Sequence, residues 1–91
     1  MKKIILIGAG GHCVSCIDVI EQEKKFSIYG LINNINKKKM IDYKIIGKDI
    51  NLKNIFKKIK YAFITMGQIK NMKYIEEIFN KVSKIGYIIP N

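Results

Sequence analysis

Hydrophobic and polar positions along this chain alternate between two rhythms. Residues 2–7 form a short, nearly continuous apolar run, as expected of a strand covered on both faces. The run breaks at Gly8, Gly10 and Gly11. From residue 12 to about residue 24, Cys13, Cys16, Ile17 and Ile20 recur at helical spacing, with Glu21 and Glu23 outside. Residues 26–32 are β-rich and end in Asn33-Asn34. Residues 34–44 are polar and lysine-rich and predict a loop, and 43–46 predict a short extra strand closed by Gly47.

The second half repeats the alternation. Asn51 is the expected N-cap of a helix using Leu52, Ile55, Phe56 and Ile59. Residues 61–66 form another β-rich run, closed by Gly67. Asn71 is the expected cap of a helix whose face is Met72, Ile75, Ile78, Phe79 and Val82, stopped by Gly86. Residues 87–89 predict a last strand before Pro90. The order β-α-β-(β)-α-β-α-β predicts an α/β fold: a Rossmann-like open parallel sheet with helices on both faces, in a single small domain over residues 1–91.

Charge changes this picture little. The formal net charge is +10, and all 17 cations are lysines. Isoleucine, lysine and asparagine together fill about half of the chain, a bias expected of an A- and T-rich genome. Readers of nucleic acid cluster their cations and use arginine for bidentate contacts. Here the lysines are scattered, so no nucleic-acid partner is expected. A positive field still favours an anionic small ligand. No apolar stretch approaches the roughly 20 residues needed to span a bilayer. With two cysteines and no export signal, a cytoplasmic location without membrane contact is expected.

In sheets of this kind ligands lie outside the carboxyl ends of the strands, at the switch point. Three segments are expected to converge there: Gly8 to His12, Asn33-Asn34, and Thr65 to Gln68, which includes Gly67. Glycines permit a tight turn and close backbone approach, and the first amides of the following helix lack internal partners. A phosphate or diphosphate satisfies them. The dinucleotide fingerprint G-x-G-x-x-G is incomplete, since the third position is Cys13, and Asn33 stands where an acidic residue would hold a ribose diol. A nicotinamide dinucleotide is therefore not expected. His12 has two readings, a donor to phosphate and a solvent-facing cap. Asn33 and Asn34 likewise fit either a uracil edge or a plain turn.

Cys13-Val14-Ser15-Cys16 has the C-x-x-C spacing of redox and zinc sites. The chain has no proline to sit opposite the pair and no second ligand cluster, and both cysteines fall on the apolar helix face. Packing is the expected role, with no metal site. A small redox or metal-binding module using Cys13 and Cys16, and a non-catalytic interaction domain, stand as the alternatives.

Taken together, Gly8-Ala9-Gly10-Gly11-His12, Asp18-Val19-Ile20, Tyr29-Gly30-Leu31-Ile32-Asn33-Asn34, the run 43–47 and the run 62–68 resemble one family. It is the N-terminal domain of the bacterial sugar acetyltransferases with a left-handed β-helix, which include sialic acid O-acetyltransferases and UDP-4-amino-sugar N-acetyltransferases. The resemblance spans essentially the whole chain. It implies a substrate-recognition domain for a UDP-sugar in surface glycan or glycoprotein sugar biosynthesis. Gly10, Gly11 and His12 would contact the diphosphate and ribose, and Asn33 and Asn34 would replace a commonly acidic pair near the nucleoside. Gly8 begins the turn, and Gly67 and Gln68 stand at the third strand end. The family's acetyl-CoA site, catalytic histidine and trimer belong to a β-helix half, which this chain would meet in cis or in trans. By itself it is expected to bind no cofactor and to contain no catalytic residue.

Overall fold

The computed structural model describes residues 2–8, 11–32, 39–40, 43–65 and 72–90; the side chains of residues 11–14, 39–40, 49, 72 and 74 are outside that description. The elements run β1 (Lys2–Ile7), α1 (Gly11–Glu23), β2 (Phe26–Ile32), β3 (Lys39–Met40), β4 (Tyr43–Gly47), a 3₁₀ turn (Asp49–Asn51), α2 (Leu52–Ile55), β5 (Tyr61–Ile64) and α3 (Met72–Ile85). They build a five-stranded sheet in the order β3-β4-β2-β1-β5. β1, β2, β4 and β5 are parallel, and β3 pairs antiparallel with β4 at the edge.

β1 lies between β2 and β5, which explains its unbroken apolar run. Ile4, Ile5, Leu6 and Ile7 are all buried, and successive side chains serve opposite faces. On one face Leu6 and Leu31 pack with Ile17 of α1, flanked by Ile20, Ile45 and Phe63. On the other, Ile5, Ile7, Ile32 and Ala62 pack with Leu52 of α2 and with Ile78 and Val82 of α3. The expected Rossmann-like α/β sheet with helices on both faces is therefore present.

Several local expectations are corrected. Within the lysine-rich stretch 34–44, Lys39–Met40 forms an edge strand, a position where lysines are ordinary. The second helix ends at Ile55 rather than near Ile59. Its continuation tightens into i→i−3 bonds, Lys57 N–H to Asn54 O at 3.2 Å and Lys58 N–H to Ile55 O at 2.9 Å. Asn51 occupies the N-cap position without capping forward; its Oδ1 accepts from the Lys48 amide at 2.8 Å. Asn71 lies outside the described residues. Phe79 is exposed at the flank of α3 instead of joining its buried face. The last strand shrinks to one parallel bridge, Tyr61 to Ile88. Pro90 has no N–H to carry that ladder further.

α3 stops at Gly86, whose φ of +115° suits glycine. The amides of Gly86 and Tyr87 both donate to Val82 O at 3.0 Å, satisfying the carbonyl that the helix end leaves open. The Tyr87 ring then packs edge-on against Phe56 at 5.0 Å, and its hydroxyl donates to Leu52 O at 2.6 Å. This buried bond joins α2 to the segment after α3.

Burial pushes the Tyr87 phenol up to about 12. A group whose folded pKa exceeds its unfolded value contributes stability that is complete below the unfolded pKa, near 10, and is lost as pH rises through 12. Denaturant midpoints should therefore fall between pH 10 and 12. Tyr87→Phe should show a flatter fall over the same range, because it lacks the buried phenol.

Candidate functional site

The sheet order fixes where a ligand crevice opens. From β1 the chain proceeds outward through β2 to β4, then returns to the other side of β1 as β5. The reversal falls between β1 and β5, so the crevice lies at their carboxyl ends.

Those ends are tied together. The Gly8 amide donates to Ile32 O of β2 at 2.7 Å, and the Thr65 amide donates to Ile7 O of β1 at 2.9 Å. The Thr65 hydroxyl faces Ile7 O at 3.0 Å and Gly8 O at 3.1 Å. Gly8 itself has φ +109°, a conformation that L side chains rarely adopt. The strand thus turns out of the sheet at a residue chosen for that backbone.

Helix α1 begins at Gly11, three residues beyond Gly8, and its first turn holds no acidic residue. Its first amides lack i−4 carbonyls, and the positive end of the helix dipole lies there. Docking of Ile17 and Ile20 onto Leu6 and Leu31 holds the helix in place. The geometry suits an anion at the helix start, above the centre of the sheet.

Of the expected site residues, Gly8 and the backbones of Gly11 and His12 are placed at this crevice. Gly10, Asn33, Asn34, Gly67 and Gln68 lie outside the described residues, as does the side chain of His12. The sequence pattern gave Thr65 no role of its own. Its only signal is a hydroxyl at the end of an apolar strand, and its partners lie 57 and 58 residues away.

A second concavity, of about 290 Å³, lies between α1 and the opposite part of the sheet, lined by Cys16, Val19, Ile20, Phe26, Phe63 and Pro90. Cys16 is half-buried there. Among the described residues no group of three or more His, Cys, Asp or Glu side chains could hold a metal ion. Among them, too, no helix is long and apolar enough to cross a membrane.

A parallel sheet with a glycine exit from its central strand and a helix start at the switch point defines a Rossmann-like architecture. Residues 3–82 match the model of the PglD N-terminal domain family, and the chain belongs to that family. The resemblance to the N-terminal domain of the sugar acetyltransferases is thereby borne out. No curated protein matches the chain in sequence.

Among solved structures, the chain is similar to a variant of perosamine N-acetyltransferase from Caulobacter crescentus, in complex with CoA and GDP-perosamine. The TM-score is 0.82 at 15% identity, over 96% of this chain and 40% of that one. It is also similar to UDP-D-quinovosamine 4-dehydrogenase from Vibrio fischeri, with TM-score 0.69 and 21% identity over 99% of this chain and 79% of that one. A Rex-family repressor matches with TM-score 0.71 and 17% identity, over 96% and 42%. At these identities the likeness is one of fold. The chain spans about 40% of the length of the acetyltransferase it matches.

Proposed function

We propose that this chain is a nucleotide-sugar-recognition domain, holding the diphosphate of a nucleoside-diphosphate sugar at the switch point between β1 and β5. The observation that carries the reading is the start of α1 at Gly11, directly after the positive-φ exit of β1 at Gly8. Membership of the PglD N-terminal domain family supports it. Gly8, Gly10 and Gly11 supply backbone to the phosphates, and His12 donates to a phosphate oxygen. Asn33, Asn34, Gly67 and Gln68 surround the nucleoside side of the crevice. Two of the similar structures are named for a GDP-linked and a UDP-linked sugar. The shared diphosphate is the central claim, and the donors and acceptor of the asparagine pair can complement a uracil edge.

The domain recognises substrate for acetyl transfer that takes place elsewhere in the assembly, and works in the cytoplasm. Acetyl-CoA is assigned to the β-helix half rather than to this chain; the concavity beside α1 is mostly apolar, with Glu23 and Lys25 on its wall. No step of the transfer is assigned to this chain. The β-helix half joins in cis or in trans, and assembly follows that half.

Calorimetric titration of the chain with UDP, GDP and NAD tests the reading. Heat and saturation are expected with UDP or GDP. Silence with both, or saturation with NAD alone, removes it.

A further inference from the structure

Thr65 is a buried polar side chain, at 3% exposure. It stands at the end of β5, beside the last paired residues, Ile7 and Ile64. Among the described residues these are the last pair of that ladder. Its hydroxyl proton lies between two acceptors, Ile7 O at 3.0 Å and Gly8 O at 3.1 Å. Ile7 O also accepts from the Thr65 amide at 2.9 Å, and the hydroxyl reaches the next carbonyl, Gly8 O.

We propose that Thr65 is a positioning residue of the nucleotide site, its hydroxyl fixing the peptide by which the chain leaves β1 at Gly8. This rests on the nucleotide reading above. A peptide unit is planar, so holding its carbonyl fixes the plane of the whole unit. At Gly8 that plane sets the direction in which the glycine turn departs towards α1. Glycine is permissive about φ and ψ, so the turn residue itself supplies little restraint. The restraint comes from across the sheet, through a β-branched side chain with few rotamers. A turn left free would have to order itself around each incoming diphosphate, and affinity would fall by that cost.

The test compares the whole chain with Thr65→Ser, Thr65→Val and Thr65→Ala, using UDP and GDP as probes. Thr65→Ser keeps the donor and should bind within about threefold of the parent protein. Thr65→Val and Thr65→Ala remove it and should lose about tenfold or more, the equivalent of one hydrogen bond. Weak binding of the nucleosides uridine and guanosine, followed by amide chemical shifts, should change little, because they lack the phosphates. Without any ligand, hydrogen exchange at the Ala9 amide, which shares a peptide unit with the Gly8 carbonyl, should be faster in the Val and Ala variants than in Thr65→Ser.

Unchanged Ala9 exchange in a folded Val or Ala variant overturns the positioning role, even where UDP or GDP still binds. So does diphosphate affinity within about threefold of the parent in either variant, or an equal loss for nucleoside and diphosphate. A Thr65→Ser variant as weak as Thr65→Val also overturns it, since packing would then explain both. If the parent protein is silent to UDP and GDP, the nucleotide reading falls and takes this role with it.

Discussion

Leu6→Ala is expected to remove about 3 kcal/mol of stability, the middle of the range for emptying a leucine-sized space in a core. Leu6 is fully buried in the central strand, opposite Leu31 of β2 and Phe63 of β5. The α1 face of the sheet has a small core, with Leu6, Ile17 and Leu31 as its buried members. Three large side chains on rigid strands and one helix leave little that can collapse into the gap. A domain of this size has a net stability of roughly 5–10 kcal/mol, so the loss is a large share of the total. With a urea slope of about 1.5 kcal/mol/M, the midpoint should drop by about 2 M without a change in slope. Val19→Ala, at a position 53% exposed on the same helix, should shift stability by less than about 0.5 kcal/mol. Equal effects at the two positions would mean that α1 is not docked through Leu6. The docking matters for function, because it sets the helix start over the crevice.

The parts of the fold legible in the sequence were those encoded locally. The β1–α1–β2 unit follows from a buried strand, a glycine break and a helical period, all within about thirty residues. The expected start of α1, at residue 12, lies one position from the observed Gly11. Errors arose where a neighbour distant in sequence decided the outcome. The apolar spacing of Leu52, Ile55, Phe56 and Ile59 is that of a longer helix. Phe56, however, turns to meet Tyr87 from beyond α3, and the chain tightens to reach β5. Phe79 looked like a core residue by type, yet Ile78 and Val82 already define the buried line of α3. The stretch 87–89 has strand composition, but it makes a single parallel bridge, from Ile88 to the first residue of β5.

The candidate site divides in the same way. A glycine turn before a helix is a local signal and was readable. The clasp at Thr65 depends on the pairing of β1 with β5, which no nearby residue announces. The proposed site draws on three separate strand ends, and Asn33, Asn34, Gly67 and Gln68 lie outside the described residues. Spacing could name the converging segments, but the atoms that meet there depend on their register.

Gly8→Ala should weaken UDP or GDP binding by more than tenfold, whereas Gly86→Ala should leave it unchanged. The two glycines make an informative pair because their backbones carry similar strain for any other residue. Gly8 has φ +109° and Gly86 has φ +115°. Placing a Cβ in such a conformation costs of order 1–3 kcal/mol. At Gly86 the new atom also comes within 3.1 Å of the Phe56 ring. Both substitutions should therefore lower the melting temperature by several degrees. They differ in what the strained residue controls. Gly86 ends α3 at the amino-end side of the sheet, where its neighbour Tyr87 precedes the bridge to the first residue of β5. Gly8 lies at the opposite end and directs the chain from β1 into α1. If the backbone relaxes at Gly8, the amides at the helix start move relative to the strand ends, and a diphosphate loses contacts that no side chain can replace. Titrations well below both melting temperatures separate this effect from instability. Equal binding by the two variants would show that the exit from β1 has no part in holding the ligand, however well the domain folds.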